Sequence, residues 1–250
     1  MPGTPVVLLH GLAVSHRYLM PTARRLAAHR PVFVPDLPGF GYSDKPPVAY
    51  DVDRHARHLS AWLDARELGP VGVVGHSFGA EVAARLAVLR PDAVSSLVLA
   101  GPTCDVRARS RWGLLRRWLA DLPFEPAWQA PILACDVAQA RPWRVWATVG
   151  HSARNAIEDD LLELPVRPLV LGGALDPVAP PGWRSAVAIA TGGVAVTVPG
   201  AAHNALTTAG ERCAALIEAH VRGDSGVADA ACVSVARKSG SSEAPRGASG

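Results

Sequence analysis

Residues 71–79 read Val71-Gly72-Val73-Val74-Gly75-His76-Ser77-Phe78-Gly79, and an alanine-rich helical pattern follows at once: Ala80-Glu81-Val82-Ala83-Ala84-Arg85-Leu86-Ala87. A short, nearly all-apolar run of this kind is a strand buried on both faces, which places it in a parallel sheet with helices on either side. The turn from strand to helix carries a serine with glycine two places before and two places after. A side chain at so sharp a turn sits on strained backbone, and its flanks must be small if strand and helix are to approach. Gly75 and Gly79 meet that demand. The alternative is a Gly-rich turn with an idle serine, and the strand-to-helix setting weighs against it.

The same alternation of strand and helix patterns extends along the chain. Residues 6–10, 32–36, 71–76, 96–101, 169–173 and 194–199 read as strands, and 18–28, 53–67, 78–90, 183–190 and 204–221 as helices. The expected fold is α/β: a mostly parallel sheet of about six strands with helices on both faces. Residues 1–102 and 165–222 form the expected core. Between them, 103–164 breaks the alternation with helical pieces separated by Pro123, Pro126, Pro131 and Pro142, the pattern of a helical cap insertion. Residues 223–250 are a Gly/Ser/Ala-rich tail, too poor in core formers to offset its ordering entropy, and are expected to be disordered.

The insertion holds five of the seven tryptophans, Trp112, Trp118, Trp128, Trp143 and Trp146. They either wall an apolar pocket, with Trp112, Trp143 and Trp146 as substrate contacts, or pack small helices onto the core. Arg107, Arg109, Arg111, Arg116 and Arg117 surround an apolar stripe there and are expected to form a solvated face rather than an anion-binding or membrane-surface patch.

At 250 residues with 49% hydrophobic and 19% charged, the chain can bury a sizeable core, which excludes wholesale disorder. A net charge of +3 with scattered basic residues leaves no nucleic-acid footprint. Cys104, Cys135, Cys213 and Cys232 lie far apart without metal-ligand spacing, and fit isolated thiols in a reducing compartment. The N-terminus lacks a basic start and long apolar stretch, and no run reaches bilayer-spanning length, so a soluble, cytoplasmic protein is expected.

A serine hydroxyl is a weak nucleophile at neutral pH and needs a base oriented by a carboxylate. Asp176 follows the strand at 169–173, and His203 follows the strand at 194–199 in a loop of small residues. Strand ends in an open parallel sheet face one edge, so Ser77, Asp176 and His203 can meet there. Asp176 could instead only start a turn, His203 could be an ordinary loop histidine, and Asp105 is a rival acid. His55 and His58 lie one turn apart but lack a third metal ligand, and a solvated helix face is expected for them. The N–H groups of Phe78, just after the serine, and Leu12, in the loop His10-Gly11-Leu12, are candidate donors to a developing oxyanion. His10, Gly11 and His76 are further candidate substrate neighbours.

These motifs, together with Asp36-Leu37-Pro38-Gly39-Phe40-Gly41-Tyr42-Ser43-Asp44, resemble the α/β-hydrolase superfamily over about residues 5–222. The order of Ser77, Asp176 and His203 fits its serine-nucleophile branch with a short helical cap. The resemblance implies Ser77 as nucleophile, His203 as base and then acid, Asp176 as its orienting partner, and Leu12 and Phe78 as oxyanion donors. It implies no cofactor or metal. In two respects the chain departs from the pattern: Ala80 stands where many members have a second glycine, and the usual N-terminal entry strands are missing. The strand at 32–36 is then a sheet edge open to self-association, blunted by Pro31 and Pro35.

The expected activity is hydrolysis of a carboxylic ester or thioester of a small to medium, partly apolar substrate. Carbon–carbon bond hydrolysis or cofactor-free perhydrolysis on the same residues is the alternative chemistry. A ligand-binding receptor with this fold is the alternative outside enzymology.

Overall fold

The structure, a computed structural model, describes residues 3–224. The disordered tail expected at 223–250 therefore lies, from residue 225 onward, outside the described residues.

In chain order the elements are β1 (Val6–Leu9), α1 (Met20–Leu26), β2 (Val32–Phe33), α2 (Val52–Ala65), β3 (Val71–His76), α3 (Phe78–Leu89) and β4 (Val94–Ala100). Four helices follow, α4 (Arg111–Asp121), α5 (Ala130–Ala140), α6 (Pro142–Ser152) and α7 (Ile157–Leu162). The chain then returns to the sheet through β5 (Leu169–Gly173), α8 (Pro181–Thr191), β6 (Val194–Val198), α9 (Ala205–Thr208) and α10 (Gly210–Arg222). The strands form one parallel sheet in the order β2-β1-β3-β4-β5-β6.

Successive strand side chains point to opposite faces, and both faces are covered. Val7, Leu9, Val73, Leu97, Leu99 and Val170 pack beneath α2, α3 and α8. Val6, Leu8, Val74, Val98, Leu169 and Leu171 pack against α1 and α10. This two-sided burial is why the strands carry no polar alternation.

The differences from the sequence reading have local causes. The edge strand expected at 32–36 pairs only at Val32 and Phe33, because the chain then turns through Pro35 into the Asp36 loop. The helix expected at 18–28 begins as a 3-10 turn over His16–Leu19, and α1 starts with Pro21 in its first turn, where the missing N–H costs nothing. The helix expected at 204–221 is broken at Ala209, whose φ of −122° and ψ of 37° are not helical. A Cβ on Gly210 would lie 2.9 Å from the backbone of Pro21, so the break lets α10 start against α1. Asp51 caps α2 by accepting from Arg54 N–H at 2.9 Å, two residues before the expected start.

Parallel pairing aligns Leu9 with Gly75, His76 with Ala100 and Gly173 with Val198, so the C-terminal ends of these strands open onto one edge. The helices α4–α7 pass over that edge. Among the described residues no helix is long and apolar enough to cross a membrane.

Candidate active site

Ser77 sits between β3 and α3 with φ 55° and ψ −120°, a positive-φ conformation costly for a non-glycine residue. The crowding around it explains the flanking glycines. A Cβ on Gly75 would fall 2.2 Å from Gly79 O, and one on Gly79 would fall 2.6 Å from His10 O. Ser77 N–H donates to Ala100 O at 2.9 Å and ties the turn to β4.

From this turn the Ser77 hydroxyl reaches His203 Nε2 at 2.9 Å, and His203 Nδ1 lies 3.1 Å from Asp176 Oδ2. The other Asp176 oxygen accepts from the N–H groups of Val178 at 2.8 Å and Ala179 at 2.9 Å. A fully committed carboxylate fixes the imidazole with its proton on Nδ1, leaving Nε2 to accept from the serine. Burial alone would lower the His203 pKa, but the adjacent Asp176 charge, with Asp121 and Glu125 farther off, outweighs it and holds the imidazole above its ordinary value. Burial likewise opposes ionisation of Asp176, and the His203 partner outweighs it, holding this carboxyl below the usual range. This arrangement can deprotonate a hydroxyl and store the proton.

The rest of the site is held by a buried polar chain. Gly11 N–H donates to the Tyr18 hydroxyl at 2.8 Å, Tyr18 is hydrogen-bonded to His76 Nδ1, and His76 Nε2 donates to His203 O at 2.9 Å. Burial drives the His76 pKa down to about 3, so the ring is neutral, with its proton on the nitrogen facing His203 O. A Cβ at position 11 would lie 3.0 Å from Ser77 Cβ, so glycine lets this loop reach the serine turn. The N–H groups of Leu12 and Phe78 make no hydrogen bond among the described residues, and both residues line the same cavity as Ser77.

That cavity has a volume of about 570 Å³ and is walled mainly by apolar side chains of α4, α5 and α6, among them Leu115, Trp118, Leu133, Val145 and Trp146. The helical segment is tied to the histidine loop. Asp121 Oδ1 accepts from His203 N–H at 3.2 Å, and Glu125 Oε1 accepts from Asn204 N–H at 2.7 Å. Burial raises the Asp121 pKa to about 7.

Several of the residues that the sequence suggests for the site fall elsewhere once the chain is folded. Trp146 faces the cavity, but Trp112 and Trp143 are exposed and do not line it. Trp112 packs edge-on against Trp146 at 5.5 Å between ring centroids, and Trp143 lies beneath the Arg144 guanidinium. His10 is buried behind the loop: its Nε2 accepts from Leu37 N–H at 2.9 Å and its Nδ1 donates to Gly11 O at 2.8 Å, so it shapes the loop without facing the cavity. Asp105 is engaged by Arg117 at 2.7 Å and Arg107 at 3.2 Å, away from His203. With Arg109 paired to Glu158, the insertion's arginines are in part ion-paired rather than simply solvated. His55 is buried against the rings of Phe40, Tyr50 and Phe78, because its face of α2 packs on the core; only His58 is exposed as expected. No metal-binding cluster occurs among the described residues.

Sequence reasoning missed Tyr18, Asp121 and Glu125 as neighbours of the site, while Trp118 and Trp128, named there only as possible pocket walls, do line the cavity. No sequence signal marked the two acids, because α4 ends at Asp121 and Glu125 lies beyond the 3-10 turn over Leu122–Phe124.

A family model described as alpha/beta hydrolase fold matches residues 4–141, more than half of the chain. The chain belongs to the alpha/beta hydrolase fold family. A second model, described as TAP-like protein, matches residues 133–232 of this family member. Over 106 residues the alpha/beta hydrolase chain is 40% identical to 2-hydroxy-6-oxo-2,4-heptadienoate hydrolase of Pseudomonas putida, covering 40% of this chain and 37% of the relative. It is 44% identical over 167 residues to Lipase LipV of Mycobacterium tuberculosis, covering 64% of this chain and 58% of the relative. The chain thus spans little more than a third of the first of these relatives and less than two thirds of the second. A thermophilic esterase from Thermogutta terrifontis superposes with a TM-score of 0.76 at 24% identity, covering 89% of this chain and 91% of that one, and shares its fold.

Proposed function

We propose that the chain is a serine hydrolase that cleaves a carboxylic ester or thioester of a medium-sized, partly apolar substrate through an acyl-enzyme on Ser77. The observation that carries this reading is the unbroken line from Ser77 Oγ to His203 Nε2 at 2.9 Å and from His203 Nδ1 to Asp176 at 3.1 Å, beneath an apolar cavity.

Ser77 Oγ attacks the acyl carbon as its proton passes to His203 Nε2. The charge that develops on the acyl oxygen is met by the Leu12 and Phe78 N–H groups, the latter at the positive end of α3. Collapse expels the alkoxide or thiolate, which takes the proton from His203. Water then enters and its oxygen bonds the acyl carbon as it gives a proton to the same nitrogen; the second collapse breaks the bond to Ser77 Oγ, which takes that proton back as the acid leaves. Asp176 stays ionised throughout and steadies the imidazolium. The helices α4–α7 act as the cap that shelters the acyl chain.

The test is labelling by an alkyl fluorophosphonate together with turnover of 4-nitrophenyl esters. Wild-type protein should label stoichiometrically, and Ser77→Ala should lose labelling and about 10,000-fold or more of kcat/KM. Folded wild-type protein that neither labels nor turns over would favour a ligand-binding role instead.

One observation favours a second reading, carbon–carbon bond hydrolysis: the chain is 40% and 39% identical over 106 residues to two relatives named as a heptadienoate hydrolase and a 2-hydroxymuconate semialdehyde hydrolase. Assaying a vinylogous 1,5-diketone beside the esters separates the two.

A further inference from the structure

We infer that the cavity over Ser77 selects uncharged acyl substrates and turns away those carrying a carboxylate on the acyl chain, with Asp121 and Glu125 setting the selection. This rests on the hydrolase reading above and names its substrate class.

Among the described residues, the cavity lining contains no arginine and no lysine. Beyond the Ser77 and His203 pair, its ionisable acids are Asp121 and Glu125, contributed by the end of α4 and the turn after it. Asp121 is buried, one of its oxygens accepts from His203 N–H at 3.2 Å, and the other has no hydrogen-bond partner among the described residues. Both Glu125 oxygens are occupied, by Asn204 N–H at 2.7 Å and Gln129 Nε2 at 3.0 Å. The donors nearest these acids are therefore already committed. Arg117, the α4 arginine that could have supplied a counter-charge, is turned to Asp105 at 2.7 Å and to Val178 O at 3.0 Å.

A carboxylate entering this space would shed its water against apolar walls without a cation to replace it, and above pH 7, where Asp121 has given up its proton, it would meet acceptors at the histidine loop. Burying an unpaired charge costs far more than burying the equivalent methyl group, which gains from the transfer.

The experiment compares 4-nitrophenyl hexanoate with mono-4-nitrophenyl adipate, a chain of the same carbon count ending in a carboxylate. Wild-type kcat/KM should favour the neutral ester by roughly 100-fold. The Asp121→Asn/Glu125→Gln protein should narrow that ratio by roughly 10-fold, and the ratio cancels any loss of speed from disturbing the histidine loop. Leu133→Arg, which adds a cation to the wall away from that loop, should narrow it as well and carries the test if the double variant does not fold. A wild-type ratio within threefold overturns the charge selection, as does a ratio that none of the folded variants changes. Hexylphosphonofluoridate and its ω-carboxy analogue give the same comparison without turnover. Ser77 labelled by both at equal rates overturns the selection alone. Protein inert to both reagents and both esters overturns the hydrolase reading and the selection with it. Preferential labelling by the neutral reagent without ester turnover supports the selection and refutes only the esterase assignment.

Discussion

Replacing Asp176 by asparagine tests the proposed chemistry most directly, because the geometry dictates what the new side chain must do. Oδ1 of Asp176 is held by the N–H groups of Val178 and Ala179, and only an oxygen can accept from them. An asparagine therefore keeps its oxygen on that side and turns its NH₂ toward His203 Nδ1. A donor there forces Nδ1 to accept, moves the ring proton to Nε2, and leaves Ser77 without a base. The wrong tautomer costs about 10,000-fold in kcat where a serine hydrolase depends on this unit. Asp105→Asn, whose partners are Arg107 and Arg117, should change kcat/KM by less than about threefold, since it touches His203 only indirectly, through Arg117 and the Val178 carbonyl. The assay is 4-nitrophenyl ester hydrolysis across pH, with fluorophosphonate labelling as a check. Because the Asp176 charge outweighs burial and raises the His203 pKa, wild-type kcat/KM should rise with pH through a limb centred above 6.5, as the base loses its proton. Asp176→Asn removes that charge, so any residual activity should show the limb at lower pH. Asp176→Asn protein retaining more than a tenth of wild-type kcat/KM, or Asp105→Asn losing more than Asp176→Asn, would refute the reasoning.

Other perturbations reach the parts that hold the site in place. Tyr18→Phe removes the acceptor of Gly11 N–H and the partner of His76 Nδ1; it should cost about 1–3 kcal/mol in denaturant unfolding and slow ester turnover without abolishing labelling. Gly75→Ala drives a methyl to 2.2 Å from Gly79 O, where only backbone can give way, and should lower stability by about 3 kcal/mol with loss of labelling. Glu81 is buried, and burial raises its pKa to about 7 against Thr103, Ser152 and Asn155, which all donate to it. Between pH 4.5 and about 7 the folded chain holds a proton that the unfolded chain has lost, so stability falls as pH rises through that window, by about 3 kcal/mol in all. Glu81→Gln should abolish this slope in urea midpoints taken at several pH values; an unchanged slope would assign it to another group.

The sheet was legible because its signals are local: an apolar strand buried on both faces looks the same whatever lies beside it, and β3 and β5 start and end where their apolar runs do. The three candidate residues were legible because each follows such a strand, and parallel pairing brings strand ends together. What stayed hidden depends on side-chain direction across long separations. Nothing near Tyr18 signals that its hydroxyl bridges Gly11 and His76, 58 residues away. The tryptophans show the same limit. Counting them marked the right segment, but whether each faces the cavity or solvent depends on helix rotation, which placed Trp118 and Trp146 inward and left Trp112 and Trp143 outside. His55 was misplaced for a related reason. On α2 it reads as polar, yet a neutral imidazole, with its pKa lowered to about 3 by burial, packs among aromatic rings much as a phenyl would.

The contacts of α4–α7 bear on how the cavity admits a substrate. This segment is fastened to the core at its mouth, where Asp121 and Glu125 hold the loop of His203 and Asn204. It is fastened again at its root, where Glu81 on α3 joins Thr103 on one side to Ser152 and Asn155 on the other. A further tie runs from Asp136 on α5 to Ser15 at 2.8 Å and Arg17 at 3.0 Å, beside the loop that carries Leu12. Each tie joins the helical segment to an element bearing one of the proposed catalytic groups: the histidine, the helix behind the serine, or the oxyanion loop. Swinging the segment away would thus release hydrogen bonds at all of these places at once, each worth roughly 0.5–3 kcal/mol depending on whether its carboxyl is ionised. Opening and disordering of the site are in this way one event. On the proposed chemistry, the shape and charge of the closed cavity, rather than a range of open ones, would then decide which acyl chains reach Ser77.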